Sequence, residues 1–104
     1  MSKPSRLDHV ALAVTDVPAA VRWWTEHFAC RVKYADVTWA QLDFENTSLA
    51  LVTEGQHPLH LGFLVPDASA YGKAQTHRDG TKSVYAQAPG GAIEYVERPT
   101  PPSP

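Results

Sequence analysis

The sequence repeats one phrase, and that repetition constrains the fold more than any other feature. HVALAVTD begins at His9 and HLGFLVPD begins at His60. Both read histidine, apolar, small, apolar, apolar, valine, one residue, aspartate. The first copy sits inside Leu7–Asp16, a short, β-tolerant, apolar run closed by a Thr-Asp turn signal, and so reads as a buried strand. A titratable ring inside such a run is anomalous once and more so twice. Two strands with histidine at the same place imply a duplicated module with a shared site. The module ends match as well: LALV from Leu49 aligns with IEYV from Ile93, setting Ala50 against Glu94.

At 104 residues the chain is expected to form one domain with a single modest core. The first module is read as β-α-β-β-β over 7–54. Asp16 is a good N-cap and Pro18 falls in the first turn, where a missing N–H costs nothing. Val17, Val21, Trp24 and Phe28 then recur at helical spacing, giving one apolar stripe with Trp23 and His27 beside it and an end near Ala29 or Cys30. Arg31–Val37, Trp39–Phe44 and Thr47–Thr53 are the expected strands. The second module, 59–98, is shorter. Leu59–Val65 is its first strand, Asp67 caps a weak helix containing Gly72, and Lys82–Gln87 and Ala92–Glu97 close it. A strand, or most of one, is missing. Residues 99–104, rich in proline, are expected to be an extended flexible tail. The fold class is α+β: two βαβββ modules forming a curved mixed sheet around a cleft, with helices on its outer face.

Strand parity decides which side chains can meet. His9, Ala11 and Ala13 share one face of the first strand, and Val10, Leu12 and Val14 the other. His60 and Gly62 likewise oppose Leu61 and Phe63, Glu94 opposes Ile93 and Tyr95, and Ala50 opposes Leu49 and Leu51. If the modules pair across a pseudo-twofold axis, His9, His60 and Glu94 converge. Two imidazoles and one carboxylate with open positions suit a divalent transition metal, Fe2+, Mn2+, Ni2+, Co2+ or Zn2+. Such a site carries a charge of about +1 and favours an anionic, oxygen-rich ligand. Trp39, Gln41 and Asp43 share a parity and, with Ala50 and Tyr85, are the expected pocket lining. His27, His57 and His77 are expected at the surface. Cys30, at a helix C-terminus, is a poor thiolate.

A net charge of −2 and scattered basic residues give no footprint for nucleic acid or an anionic membrane. No apolar run reaches transmembrane length, and the short stretch after Arg6 is no signal peptide. The single cysteine suits a reducing cytoplasm.

These pieces resemble the vicinal oxygen chelate superfamily of glyoxalases, bleomycin-resistance proteins and extradiol dioxygenases. The resemblance rests on DHVAL, AAVRWWTEHFACRV, HLGF and PGGAIEYVE, in that order and spacing. It implies metal ligands on the first, fourth, fifth and eighth strands, here His9, Ala50, His60 and Glu94, so three positions match and Ala50 does not. Glu54 has the parity to substitute but lies roughly 13 Å along the strand. The resemblance implies a divalent-metal-dependent lyase, isomerase or dioxygenase acting on a small, chelating substrate. The alternative is a protein of the bleomycin-resistance type, which sequesters a small molecule without chemistry, and a metal-binding remnant is a third reading. It also implies a homodimer, for which Trp23 or Trp24 is the expected interface residue.

Overall fold

The computed structural model describes residues 3–55, 59–77 and 79–99. Its elements are strand β1 (Arg6–Val14), helix α1 (Val17–His27), strands β2 (Arg31–Ala35), β3 (Trp39–Asp43), β4 (Ser48–Thr53) and β5 (His60–Leu64), a 3₁₀ turn (Ala68–Tyr71), and strands β6 (Gln75–Thr76), β7 (Lys82–Ala88) and β8 (Gly91–Glu97). The eight strands form one curved, open mixed sheet in the order β2-β3-β4-β1-β5-β8-β7-β6. Each half repeats the same pattern. β4 runs parallel beside β1, β8 runs parallel beside β5, and the halves join where β1 and β5 pair antiparallel.

α1 forms where expected. Asp16 accepts a hydrogen bond from the Ala19 amide at 3.1 Å, satisfying one of the helix's free N–H groups. The helix ends earlier than its apolar stripe suggests: Phe28 turns extended, its N–H bonds Trp24 O at 2.9 Å, and it is left half exposed. Val17 and Val21, with Ala20 and Trp24, pack on Ala40, Leu42, Leu49 and Leu51 of the sheet. That cluster is the main core, and it lies entirely within the first half.

The second half departs from the expected helix. After Asp67, which caps the Ser69 amide at 3.0 Å, the chain makes only one 3₁₀ turn before Gly72. The physical reason is local: four residues cannot repay helix nucleation, and Ser, Tyr and Gly are weak helix formers. Tyr71 instead stacks on Tyr95 with ring centroids 4.0 Å apart and covers part of the sheet. The strand read as missing survives as the two residues of β6. His57 and the tail beyond Pro99 lie outside the described residues.

Candidate metal centre

The site grows out of strand register. On the face away from α1, one row across the sheet reads Ser48, His9, Gly62, Glu94, Tyr85. The next reads Ala50, Ala11, His60, Ala92, Gln87. β1 and β8 are not neighbours, because β5 runs between them. His9 must therefore reach across β5 to meet Glu94, and it does so over Gly62. A Cβ at that glycine would lie 2.3 Å from His9 Cε1 and 2.8 Å from Nε2. Only a residue without a side chain lets the ring pass.

The three side chains meet. His9 Nε2 lies 3.0 Å from Glu94 Oε1 and 3.1 Å from His60 Nε2, and His60 Nε2 lies 3.2 Å from Glu94 Oε1. All three are buried or nearly so. Metal bonds of about 2.1 Å place adjacent ligand atoms about 3.0 Å apart at right angles and about 3.4 Å apart in a tetrahedron. The observed triangle fits one face of such a polyhedron, and the donor set of two imidazoles and a carboxylate suits a divalent transition metal.

Hydrogen bonds and charge link these groups. Burial disfavours a charge on His9, but hydrogen bonds to Asp8 and Glu94 outweigh it and raise its pKa to about 9. Glu94 is also buried, yet hydrogen bonds from His60, His9 and Ser83 hold its carboxyl well below the usual range. At neutral pH a His9 imidazolium thus lies between two carboxylates, and a metal must displace that proton. Tyr85 faces the site edge-on to His60 at 5.2 Å. Burial, then the charge of Glu94 and a hydrogen bond to it, push its phenol above the ordinary value, so it keeps its proton.

Of the expected lining residues, Ala50, Gln41 and Asp43 share the site's face. Gln41 and Asp43 are tied to each other and to Ser48: Ser48 Oγ donates to Asp43 at 2.8 Å and Gln41 Nε2 donates to Ser48 at 3.2 Å. Trp39 pairs with Val52, a row beyond Ala50, and packs on Tyr34 at 4.7 Å. His27 is exposed, stacked on Trp23. His77 is exposed too, but its Nε2 donates at 2.7 Å to Ser83 Oγ, which in turn bonds Glu94.

Sequence reasoning missed Asp8, Gly62, Ser83 and Arg98. Asp8 Oδ2 accepts from His9 Nδ1 at 2.8 Å, and Arg98 grips the same carboxylate through Nη2 at 2.7 Å and Nε at 3.2 Å. Burial works against the Asp8 charge, but the bonds from His9 and Arg98 bring its pKa down to about 2. The acid directly before His9 was the available signal. Strict alternation sent it to the other face.

The profile of the Glyoxalase/Bleomycin resistance protein/Dioxygenase superfamily matches residues 6–104. No curated protein matches the chain. Among solved structures, a hypothetical protein from Bacillus halodurans superposes with a TM-score of 0.77 at 14% identity, covering 98% of this chain and 100% of that one. Streptomyces coelicolor methylmalonyl-CoA epimerase, in complex with 2-nitronate-propionyl-CoA, gives 0.75 at 18% identity over 98% and 100%. A superfamily member from Vibrio splendidus gives 0.65 at 14% identity over 90% and 98%. At such identities the likeness is one of fold. The profile match over nearly the whole chain carries the assignment: the chain belongs to the glyoxalase/bleomycin resistance protein/dioxygenase superfamily.

Proposed function

We propose that the protein is a divalent-metal-dependent enzyme acting on a small, oxygen-rich, anionic substrate, with His9, His60 and Glu94 as the metal ligands. The observation that carries this reading is the triangle of Nε2, Nε2 and Oε1 atoms with sides of 3.0–3.2 Å, assembled from three strands across a glycine. A bound ion would supply Lewis acidity toward a chelating substrate oxygen. The protein's own groups do the rest. Tyr85, half exposed and donating its proton to Glu94, can accept a hydrogen bond from a substrate hydroxyl through its phenol oxygen. The Gln41–Ser48–Asp43 array offers donors and acceptors farther along the same face.

Lyase, isomerase or dioxygenase chemistry is supported by the superfamily match and by an epimerase among the similar folds. One observation favours the second reading, a bleomycin-resistance-type protein that sequesters its ligand. Ala50 leaves the position equivalent to Glu94 without a carboxylate, and so without an obvious base. Elemental analysis and titration of chelator-free protein test the metal. No binding tighter than about 100 μM at neutral pH would remove the enzyme reading.

We read 7–54 and 59–98 as two copies of one module. We also propose a homodimer in the cytoplasm. Trp23 and Phe28, each about half exposed and clustered with Trp24 and His27, support an interface on α1. Among the described residues no helix is long and apolar enough to cross a membrane. A monomer mass by light scattering at tens of micromolar would remove the dimer.

A further inference from the structure

β1 is irregular at one place. Leu7 pairs with Phe63 and His9 with Gly62, so two steps on β1 match one step on β5 and Asp8 is the extra residue. In a regular strand Asp8 and His9 would point to opposite faces. The bulge turns the Asp8 carboxylate to the side of the His9 ring, where it receives the Nδ1 proton. The partner that fixes the carboxylate comes from the far side of β5. Arg98 follows β8 four residues after Glu94 and clamps both oxygens of Asp8, while its Nη1 donates to Thr81 Oγ1 at 3.3 Å. The same run of chain thus delivers a site carboxylate and, four residues further on, just past the end of β8, the anchor for the other ligand's support.

We propose that Asp8 and Arg98 are positioning residues: the bulged carboxylate, held by the guanidinium, locks His9 in the tautomer whose Nε2 lone pair faces His60 and Glu94. This rests on the metal reading above. A carboxylate can only accept, so Nδ1 carries the proton and Nε2 is the nitrogen left for an ion. The charge of Asp8 also makes His9 a stronger donor. The role of Arg98 is indirect, because it touches neither His9 nor Glu94 in any hydrogen bond and acts by aiming Asp8.

Titration with cobalt(II), followed by its visible absorption, is the test. Asp8→Ala is expected to weaken cobalt binding about 10- to 100-fold. Arg98→Ala is expected to lose less, and the double variant no more than Asp8→Ala alone, since the two act in series. A second readout needs no metal. In the metal-free protein the proton resonance of His9 Nδ1–H is expected to be visible, kept from solvent exchange by Asp8. In Asp8→Ala that signal is expected to be lost. Should Asp8→Ala not fold, Asp8→Asn, of the same size, is read in the same way. A variant with wild-type cobalt affinity and an unchanged Nδ1 proton would overturn the proposal. If the wild type itself fails to bind cobalt, the metal reading falls, and the Nδ1 proton alone decides the role of Asp8.

Discussion

The two halves of the sheet share a topology and divide the labour. The first, β1–β4, is roofed by α1, and every residue of the buried cluster lies in it or in that helix. The second, β5–β8, has a single 3₁₀ turn for a roof, and Leu59 and Leu61 remain 60% and 42% exposed. Yet the second half supplies His60, Glu94, Gly62 and Tyr85, most of what surrounds the site. Packing and chemistry have been placed in different copies. The copy relieved of the core is the one that carries the polar groups and the glycine a packed core would tolerate least.

The largest effect expected from this division is on the roofed half. Leu51→Ala, at a fully buried position beneath α1, should lower the unfolding free energy by about 2–5 kcal/mol in chemical denaturation. It should leave metal affinity unchanged in whatever fraction stays folded. Equal loss of both would mean the halves are not separable in this way.

Gly62→Ala inverts the pattern. The nearest atoms its Cβ meets are those of the movable His9 ring, so stability should change little. Metal affinity should fall on the order of 100-fold by calorimetry, the scale of losing one ligand's placement.

The pH dependence comes next, and its sign follows from His9. A folded-state pKa of about 9 against an ordinary value near 6.5 means protonated His9 stabilises the metal-free protein fully below about pH 6.5. That contribution is lost as pH rises through about 9. Melting temperature without metal should therefore fall across that window, by the equivalent of about 3 kcal/mol. Metal, which competes with the same proton, should bind more tightly across it.

A smaller change would make the halves alike. The row from His60 over Ala11 to Ala50 mirrors the row from His9 over Gly62 to Glu94, but Ala11 has the Cβ that Gly62 lacks and Ala50 has no carboxylate. A carboxylate at position 50 would have to pass the Ala11 Cβ to reach the site. Joined to Ala11→Gly, Ala50→Glu should tighten metal binding about tenfold while weakening an anionic ligand. If the double variant is destabilised and gains nothing from metal, a carboxylate at position 50 does not reach the ion. The smallest effect is expected at the unroofed face, where Leu61→Ser should cost under about 1 kcal/mol.

What the sequence made legible was whatever obeys period two or repeats. His9, His60 and Glu94 were visible because repetition fixed their register and parity fixed their face. The second half has a 3₁₀ turn where the sequence suggests a helix, since a capping aspartate does not by itself repay nucleation. Asp8 and Arg98 were hidden for a different reason. A bulge breaks alternation by one residue, and nothing in a pattern of apolar and polar positions marks where a strand slips. Parity fixes the face of Gly62, but its need to be glycine depends on a ring crossing from the neighbouring strand toward Glu94.

That arrival also bears on how fast the protein comes apart. Positions 9 and 94 are almost the two ends of the described chain, so their contact closes a loop longer than any strand pairing in the sheet, with β5 lying between them. An ion shared by the two ends would be bound only once that long loop is shut. It would then act on the rate of opening far more than on the rate of closing, a clasp that sets the lifetime of the native state.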